Sequence, residues 1–299
     1  MRAPRLAAAL VAPLLVVAAC GDDDRTVEAT GGAEALARLQ AAPDAVAEAG
    51  TARLAMTMTM TVEGEEIVIR ADGAYADDRL MLTMDFAAMF EAIEGEVPAM
   101  PGMDEPMTYV LDGTTTYIKA PMLAMLTGTD GWLSVSPEDF GGDTDLLDLS
   151  MGTNDPTKIL SALRGVSDEF ERVGEETVRG VDTTRYRVVI DLDKAVEAMP
   201  EDARASYRQE MAELGITDMP LDVWIADDGL VYRLSLDLLE MAGDALSDED
   251  MDGLEAGEMV FELYDYGADI DIEVPDPSEV TPFVDVMGGA GAFGLDPTG

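Results

Sequence analysis

The chemistry open to this chain is limited first by the residue types that it lacks. It has no histidine and one cysteine among 299 residues, whereas aspartate and glutamate number 62. Without histidine the chain has no Ser-His-Asp or Cys-His pair, no usual general base and none of the commonest metal ligand. A single cysteine excludes an internal disulfide and every cysteine-built zinc or iron–sulfur site. The residue types therefore predict no cofactor.

Carboxylates are the reactive groups that the chain has in excess. A glycosidase needs two of them across a polar, aromatic-lined cleft, but aromatic residues make up only 6% of the chain. We therefore predict no enzyme and no catalytic residues. Residues 248–253 place acids at positions 1, 3 and 5 of a calcium loop and glycine at position 6, but the position of the bidentate glutamate holds Met259. A solvated acidic turn is thus preferred to a calcium site at Asp248, Asp250 and Asp252. If calcium did bind there, the chain would be an acidic calcium-binding surface protein, which ranks third among the functions considered for this sequence.

The charge of the chain excludes two kinds of partner. Its formal net charge is −44 at pH 7, so its surface repels phosphate and we predict no nucleic-acid partner. The same repulsion excludes adhesion to anionic lipid headgroups through a basic patch. Because 47% of the residues are hydrophobic, the chain is predicted to fold and is not a disordered acidic segment.

The single cysteine ends an N-terminal segment with its own chemistry. Two arginines precede an apolar run over residues 6–17, which is shorter than the about 20 residues of a membrane span and suits the core of a signal peptide. Residues 17–20, VAAC, resemble the bacterial lipobox, which implies diacylglyceryl on the Cys20 thiol and an acyl chain such as palmitate on the new amine. Two or three acyl chains anchor a protein stably to a membrane. The alternative is an ordinary cleaved signal with an incidental cysteine.

The segments after the signal are predicted from composition. We expect a signal peptide at 1–19, the lipidated Cys20 with a flexible acidic tether at 20–33, one folded domain at 34–283 and a disordered Gly-rich tail at 284–299. Residues 34–49 favour helix, and Pro43 is expected to divide them into two short helices.

Alternating apolar and polar residues predict antiparallel strands over most of the domain. Asp-Gly turns at 112–113 and 228–229 predict hairpins. Ten or eleven strands with few helices predict an α+β fold in which a single strongly curved antiparallel sheet, a half β-barrel, folds over its own apolar face. Such a sheet leaves a concave apolar interior for a small apolar ligand. We expect the lining to include Met56, Met58, Met60, Leu80, Leu82, Met84, Leu234 and Leu236.

Methionine is concentrated in the first half of the chain. Its flexible thioether suits a cavity that accepts variable acyl chains, although plain core packing explains the strand methionines equally well. Residues 87–106 have no steady period, and we interpret Met89, Met100 and Met103 as a mobile flap over the cavity mouth. A surface loop is the equal alternative.

Several short phrases in this element order resemble one family. They are the lipobox ending at Cys20 and the segments 109–119 (YVLDGTTTYIK), 155–160 (DPTKIL) and 178–188 (VRGVDTTRYRV). Over about residues 50–275 the chain resembles the actinobacterial LppX/LprG-type lipoproteins, which share the half-barrel of the LolA and LolB lipoprotein carriers. The resemblance implies an extracytoplasmic lipoprotein that holds acyl chains of a lipid or lipoglycan, and it implies no catalytic residues.

The predicted function follows from these parts. We expect a protein lipid-anchored through Cys20 at the outer face of the cytoplasmic membrane. It would bind acyl chains of a lipid or glycolipid for transfer or presentation within the envelope, with an envelope transport partner that the sequence does not name. The alternative is an envelope interaction or sensor lipoprotein whose half-barrel is filled by its own side chains.

Overall fold

The computed structural model describes residues 23–62, 64–76, 79–92, 102, 105–121, 131–136, 139, 160–197, 204, 218–242 and 254–289. The chain divides into two units, Met1–Ala35 and Leu36–Gly299. Of the first unit, the described residues are helical, and they include residues 23–33 of the predicted tether. No helix within the described ranges is long and apolar enough to cross a membrane.

The second unit is built mainly from strands. The strands are β1 Thr51–Val62, β2 Glu65–Ala76, β3 Arg79–Asp85, β4 Met107–Asp112, β5 Thr115–Lys119, β6 Trp132–Val135, β7 Val166–Val178, β8 Val181–Asp191, β9 Asp218–Ala226, β10 Val231–Asp237, β11 Leu254–Tyr264 and β12 Val280–Pro282. The helices are α1 Asp23–Ala49, α2 Ala87–Ala92, α3 Leu192–Glu197, α4 Leu238–Ala242 and α5 Phe283–Gly289, with 3-10 turns at Leu163–Gly165 and Pro277–Glu279.

All twelve strands form one sheet in the order β12-β6-β5-β4-β3-β2-β1-β11-β10-β9-β8-β7. The sheet is curved. Because β7 and β12 are its two edges, it does not close into a barrel. The predicted α+β half-barrel is confirmed. The predicted strand count of ten or eleven is too low, and the β12–β6 pair is parallel where an antiparallel sheet was expected. A three-residue strand such as β12 is too short for an alternation pattern to reveal it.

The N-terminal helix differs from its prediction. α1 runs unbroken from Asp23 to Ala49 with Pro43 inside it, so the expected division into two short helices is wrong. Proline removes one backbone hydrogen bond, but Leu39, Ala42 and Val46 on either side of it are buried. Packing of this face against the sheet outweighs the local preference, because most helical stability in proteins comes from tertiary contacts.

The register assigns each strand residue to one of two faces. Met56 lies opposite Ala71 on β2 and opposite Phe261 on β11, and directly paired residues point to the same side of a sheet. We call the side that carries Met56 and Phe261 the inner face and the other side the outer face. The C-terminal half of α1 covers one end of the inner face, where the Tyr75 hydroxyl donates a hydrogen bond of 3.0 Å to the Val46 carbonyl.

One glycine shows how closely neighbouring strands approach in the curved sheet. Gly73 on β2 is paired with Leu54 on one side and Leu82 on the other. A Cβ atom at this position would lie 2.0 Å from the Met81 carbonyl oxygen and 2.8 Å from Leu82 Cδ2. The backbone of β3 therefore leaves no room for a side chain, and glycine is required for the close approach.

The outer face has a smaller core of its own. Ala74, Ala76 and Val110 are buried there with Ile272, which belongs to the segment between β11 and β12. Because this segment crosses the outer face on its way to the edge strand β12, the sheet is covered on both sides in this region.

Candidate ligand-binding site

The eight residues that the sequence predicted as lining share the inner face. Met56 pairs through Ala71 to Met84 on one side and through Phe261 to Leu234 on the other. The remaining members lie two or four residues from one of these on the same strand, so they point to the same side. They are Met58, Met60, Leu80, Leu82 and Leu236. The predicted alternation is thus the observed one, whereas their role as a ligand lining stays a prediction.

Burial of the inner face changes along the strands. Toward α1, Leu54 and Met56 are 0% and 1% exposed, so this closed end is filled by protein. Farther along β1, Met58 and Met60 are only half-buried, as is Met107 at the start of β4. We call this end of the inner face, marked by Met58, Met60, Phe86 and Met107, the open end.

An apolar pocket lies at the open end. It has a volume of about 170 Å³, and its walls include Phe86, Met89, Phe90, Met107 and Ala120. The Phe86 and Phe90 rings are 6.5 Å apart between centroids and tilted by 59°. Glu105 is the charged residue among the described wall residues; the others are apolar or glycine, and the thioethers of the two methionines adapt to different shapes. The pocket is therefore suited to an alkyl chain.

Helix α2 places two of these pocket residues. It begins beside Asp85, whose carboxylate accepts a 3.0 Å hydrogen bond from the Ala87 backbone N–H and so satisfies a free donor of the first turn. The helix then carries Met89 and Phe90 into the pocket wall. Met89 was predicted as part of a flap, and the structure places it on a short helix beside the open end.

Titratable groups are scarce on the buried inner face. Across β1, β2, β3, β10 and β11, the buried inner-face side chains in the part of the chain that the structure describes are apolar, apart from Tyr75. Burial raises the pKa of Tyr75 to about 12, so its hydroxyl stays protonated at physiological pH. Burial also raises the pKa of Tyr109 on β4. The buried inner-face side chains of these five strands thus offer dispersion contacts and a hydroxyl group.

The outer face carries charged groups that are paired within the fold. Arg185 Nη2 lies 2.5 Å from Asp222 Oδ2. Glu262 pairs with two arginines: its Oε1 lies 2.5 Å from Arg233 Nη2, and its Oε2 lies 2.7 Å from Arg179 Nε. Burial raises the pKa of Glu262, but the hydrogen bonds from both guanidinium groups outweigh it and hold the pKa below its ordinary value of 4.5. Except for Arg185 Nε, which is buried without a hydrogen-bond partner in the described part of the chain, these groups pair across neighbouring strands, and the pairing favours a structural role.

Several predicted residues lie outside the described residues. They are Cys20, the flap residues Met100 and Met103, and the calcium candidates Asp248, Asp250 and Asp252. Within the described ranges, no group of three or more acidic side chains is placed to hold a metal ion. Sequence reasoning missed Phe261, which is fully buried at the centre of the inner face between Met56 and Leu234. The alternation of Met259, Phe261 and Leu263 along the last predicted strand was the available signal.

Solved structures similar to this chain include two mycobacterial lipoproteins. LppX from Mycobacterium tuberculosis is 16% identical with a TM-score of 0.45, and the match covers 80% of this chain and 97% of LppX. LprF from Mycobacterium bovis is 15% identical with a TM-score of 0.40, covering 81% and 97%. A LolA superfamily protein from Nitrosomonas europaea is 9% identical with a TM-score of 0.31, covering 79% and 94%. The similarity to LppX-type lipoproteins that the short sequence segments indicated is thus also found in a comparison with solved structures.

With TM-scores below 0.5, none of these likenesses carries the assignment of the fold, which rests on the chain's own strand order and register. No protein-family profile matches the chain. One curated relative is an uncharacterized 31.2 kDa protein from the rplA-rplJ intergenic region of Streptomyces griseus, 23% identical over 184 residues. The match spans 57% of this chain and about half, 54%, of that relative.

Proposed function

We propose that this chain is an extracytoplasmic lipoprotein that binds acyl chains of a lipid or glycolipid on the inner face of its half-barrel. The lipobox-like segment ending at Cys20 supports anchoring at the outer face of the cytoplasmic membrane. Binding would serve transfer or presentation of the lipid within the envelope. No catalytic step is part of this proposal, which rests on the apolar side chains that are buried on the inner face of β1, β2, β3, β10 and β11 in the described residues.

The observation that carries the proposal is the gradient of burial along the inner face. Along β1, Leu54 and Met56 at the closed end are fully buried, whereas Met58 and Met60 at the open end are half-buried, as is Met107 in the wall of the apolar pocket. A partly accessible apolar surface inside a curved sheet is the kind of site that small apolar ligands occupy. The methionines at this end fit ligands of more than one shape.

The energy for binding would come from removing alkyl groups from water. Each CH₂ transferred from water to the inner face contributes about 0.8 kcal/mol. Burying eight such groups corresponds to about 6 kcal/mol before the cost of ordering the chain is subtracted. A free energy of this size is sufficient for binding, because the tether keeps the open end close to its lipid source and so raises the effective lipid concentration.

The test is native mass spectrometry of the mature chain, residues 20–299, carrying Cys20→Ser so that it is not acylated. We expect a stoichiometric amphiphile that leaves on denaturation and that lipid extraction identifies. In Met60→Asp, a charge at the half-buried open end should remove the amphiphile while the fold remains. The matched control is Val173→Asp on β7, where the valine is 44% exposed and the amphiphile should be retained.

A second function is favoured by one specific observation. At the closed end, Leu39 of α1 and Leu54, Leu234 and Phe261 of the sheet are all 0% exposed, so the protein fills that part of the inner face with its own side chains. An envelope interaction or sensor lipoprotein with a self-filled half-barrel would extend this filling to the open end. A bare chain in the native spectrum, with no uptake of a fluorescent fatty acid, would support this alternative and contradict lipid binding.

A further inference from the structure

A second cavity lies at the β6–β12 edge of the sheet, away from the inner face. It is a cleft of about 370 Å³ whose walls include Lys119, Trp132, Ser278, Glu279 and Thr281. We call it the Lys119 cleft. Lys119 and Trp132 come from the neighbouring strands β5 and β6, and the other three residues come from the 3-10 turn and β12 that follow the crossing segment. Two distant parts of the chain thus converge on one polar cavity.

Lys119 is an unusual cation in this acidic protein. Its ammonium lies 5.7 Å from the centroid of the Trp132 ring. It makes no ion pair with any carboxylate of the described residues, although the chain has 62 acidic residues and only 18 basic ones. Lys194 shows the opposite behaviour, because its ammonium is 3.5 Å from the Asp191 carboxylate. No carboxylate of the described residues therefore competes for the three donor hydrogens of Lys119 with a ligand in the cleft.

The cleft combines donors, acceptors and an aromatic surface. Glu279 offers carboxylate oxygens as acceptors, and Val280, which is paired with Trp132, adds an apolar contact. Ser278 Oγ donates a 2.6 Å hydrogen bond to Asp276, which leaves its oxygen as an acceptor. Trp132 contributes an indole, which has an apolar body and a polar N–H. Such a set suits a ring that has hydroxyl groups on its edge and C–H groups on its face.

The charge balance of the cleft selects between ligand classes. Against the single positive charge of Lys119 stand the carboxylates of Glu279, in the wall, and Asp276, which accepts hydrogen bonds from the Ser278 backbone N–H and hydroxyl. The sum is negative, so a phosphate or sulfate would be repelled. A neutral ligand avoids this repulsion and still uses each donor and acceptor.

We propose that the Lys119 cleft is a second binding site, for a neutral saccharide. The saccharide has two possible sources, a free glycan or the glycosyl headgroup of an amphiphile. The inference does not depend on the proposed acyl-chain site, since the cleft is formed by other residues.

Trp132 provides a direct readout of occupancy. The chain has two tryptophans, and the other, Trp224, is buried on the outer face beneath Arg185 and Arg233. Binding in the cleft should change the fluorescence in a way that is kept in Trp224→Phe and lost in Trp132→Phe. The probes are maltotriose, mannotriose and xylotriose as free sugars at millimolar concentration. Dodecyl maltoside and lysophosphatidylglycerol, both below their micelle-forming concentrations, are the amphiphiles.

A saturable change with at least one trisaccharide supports a free-glycan site, and a change with dodecyl maltoside alone supports a headgroup site. In both cases Lys119→Met should weaken binding about fivefold, as expected for one lost hydrogen bond, and Lys194→Met should not. A Trp132 response to none of the sugar probes would overturn the inference. Tighter, Lys119-dependent binding of lysophosphatidylglycerol would also overturn it, because it would make the cleft an anion site.

Discussion

Replacing Gly73 with alanine tests the close strand approach on which the curved sheet depends. The added Cβ would lie 2.0 Å from the Met81 carbonyl oxygen, well inside van der Waals contact. This oxygen belongs to the backbone of the paired strand β3, so it moves only if the strand moves. Gly73 also lies in the inner-face row between Leu54 and Leu82, so the displacement reaches the apolar interior.

The expected cost follows from two opposing effects. Forcing one extra methyl group into a packed interior costs about 1–3 kcal/mol, and the rigid backbone neighbour places Gly73→Ala at the upper end. Alanine also restricts the unfolded chain, which returns about 0.4–1 kcal/mol. The net loss of folding free energy is about 2 kcal/mol. For a domain of this size that corresponds to a fall in Tm of about 4–8 °C.

The assay is thermal unfolding followed by circular dichroism, with Gly174→Ala as the matched control. Gly174 also lies in a strand, β7, but a Cβ there would meet no atom within 4 Å. The control should leave Tm unchanged or raise it by about 1–4 °C, because only the effect on the unfolded chain remains. Equal Tm values for the two variants would refute the argument that β2 and β3 leave no room at Gly73.

Three further predictions concern the interior, the outer face and the anchor. Met56→Asp should abolish folding in circular dichroism because it buries an unpaired charge, whereas Met60→Asp should fold; two equally folded or equally unfolded variants would contradict the burial gradient. Arg233 and Arg179 lower the pKa of Glu262, so its ionised form stabilises the fold above the ordinary pKa of 4.5. The wild-type protein should therefore have a larger free energy of urea unfolding than Glu262→Gln above pH 4.5. This difference should vanish as the pH falls from 4.5 through the lowered pKa of Glu262, and a pH-independent difference would refute the pairing. Cys20→Ser should abolish labelling of the expressed protein with an alkynyl fatty acid, and persistent labelling would disprove anchoring through Cys20.

The alternation of the strands was readable from the sequence because it depends on local pattern alone. An apolar side chain at every second position requires a buried face whatever the neighbouring strand is. For that reason the residues around Met56, Leu82 and Leu234 were assigned to one side correctly. The length of a helix interrupted by Pro43 was not readable, because its continuity depends on contacts that the local sequence does not contain.

The candidate sites divide in the same way. The sequence by itself predicted the apolar face with Met58 and Met60 from residues close together in the chain, and the half-barrel class from the number of alternating strands and the few helices. The interpretation of Cys20 as a lipid anchor stays a prediction. Only the tertiary structure decided which end of the inner face is filled by α1 and which is open. The tertiary structure alone also decided that Lys119 and Glu279 line the same cleft. These two residues are 160 positions apart, and the parallel pairing of β12 with β6, a non-local contact, places them in one cleft.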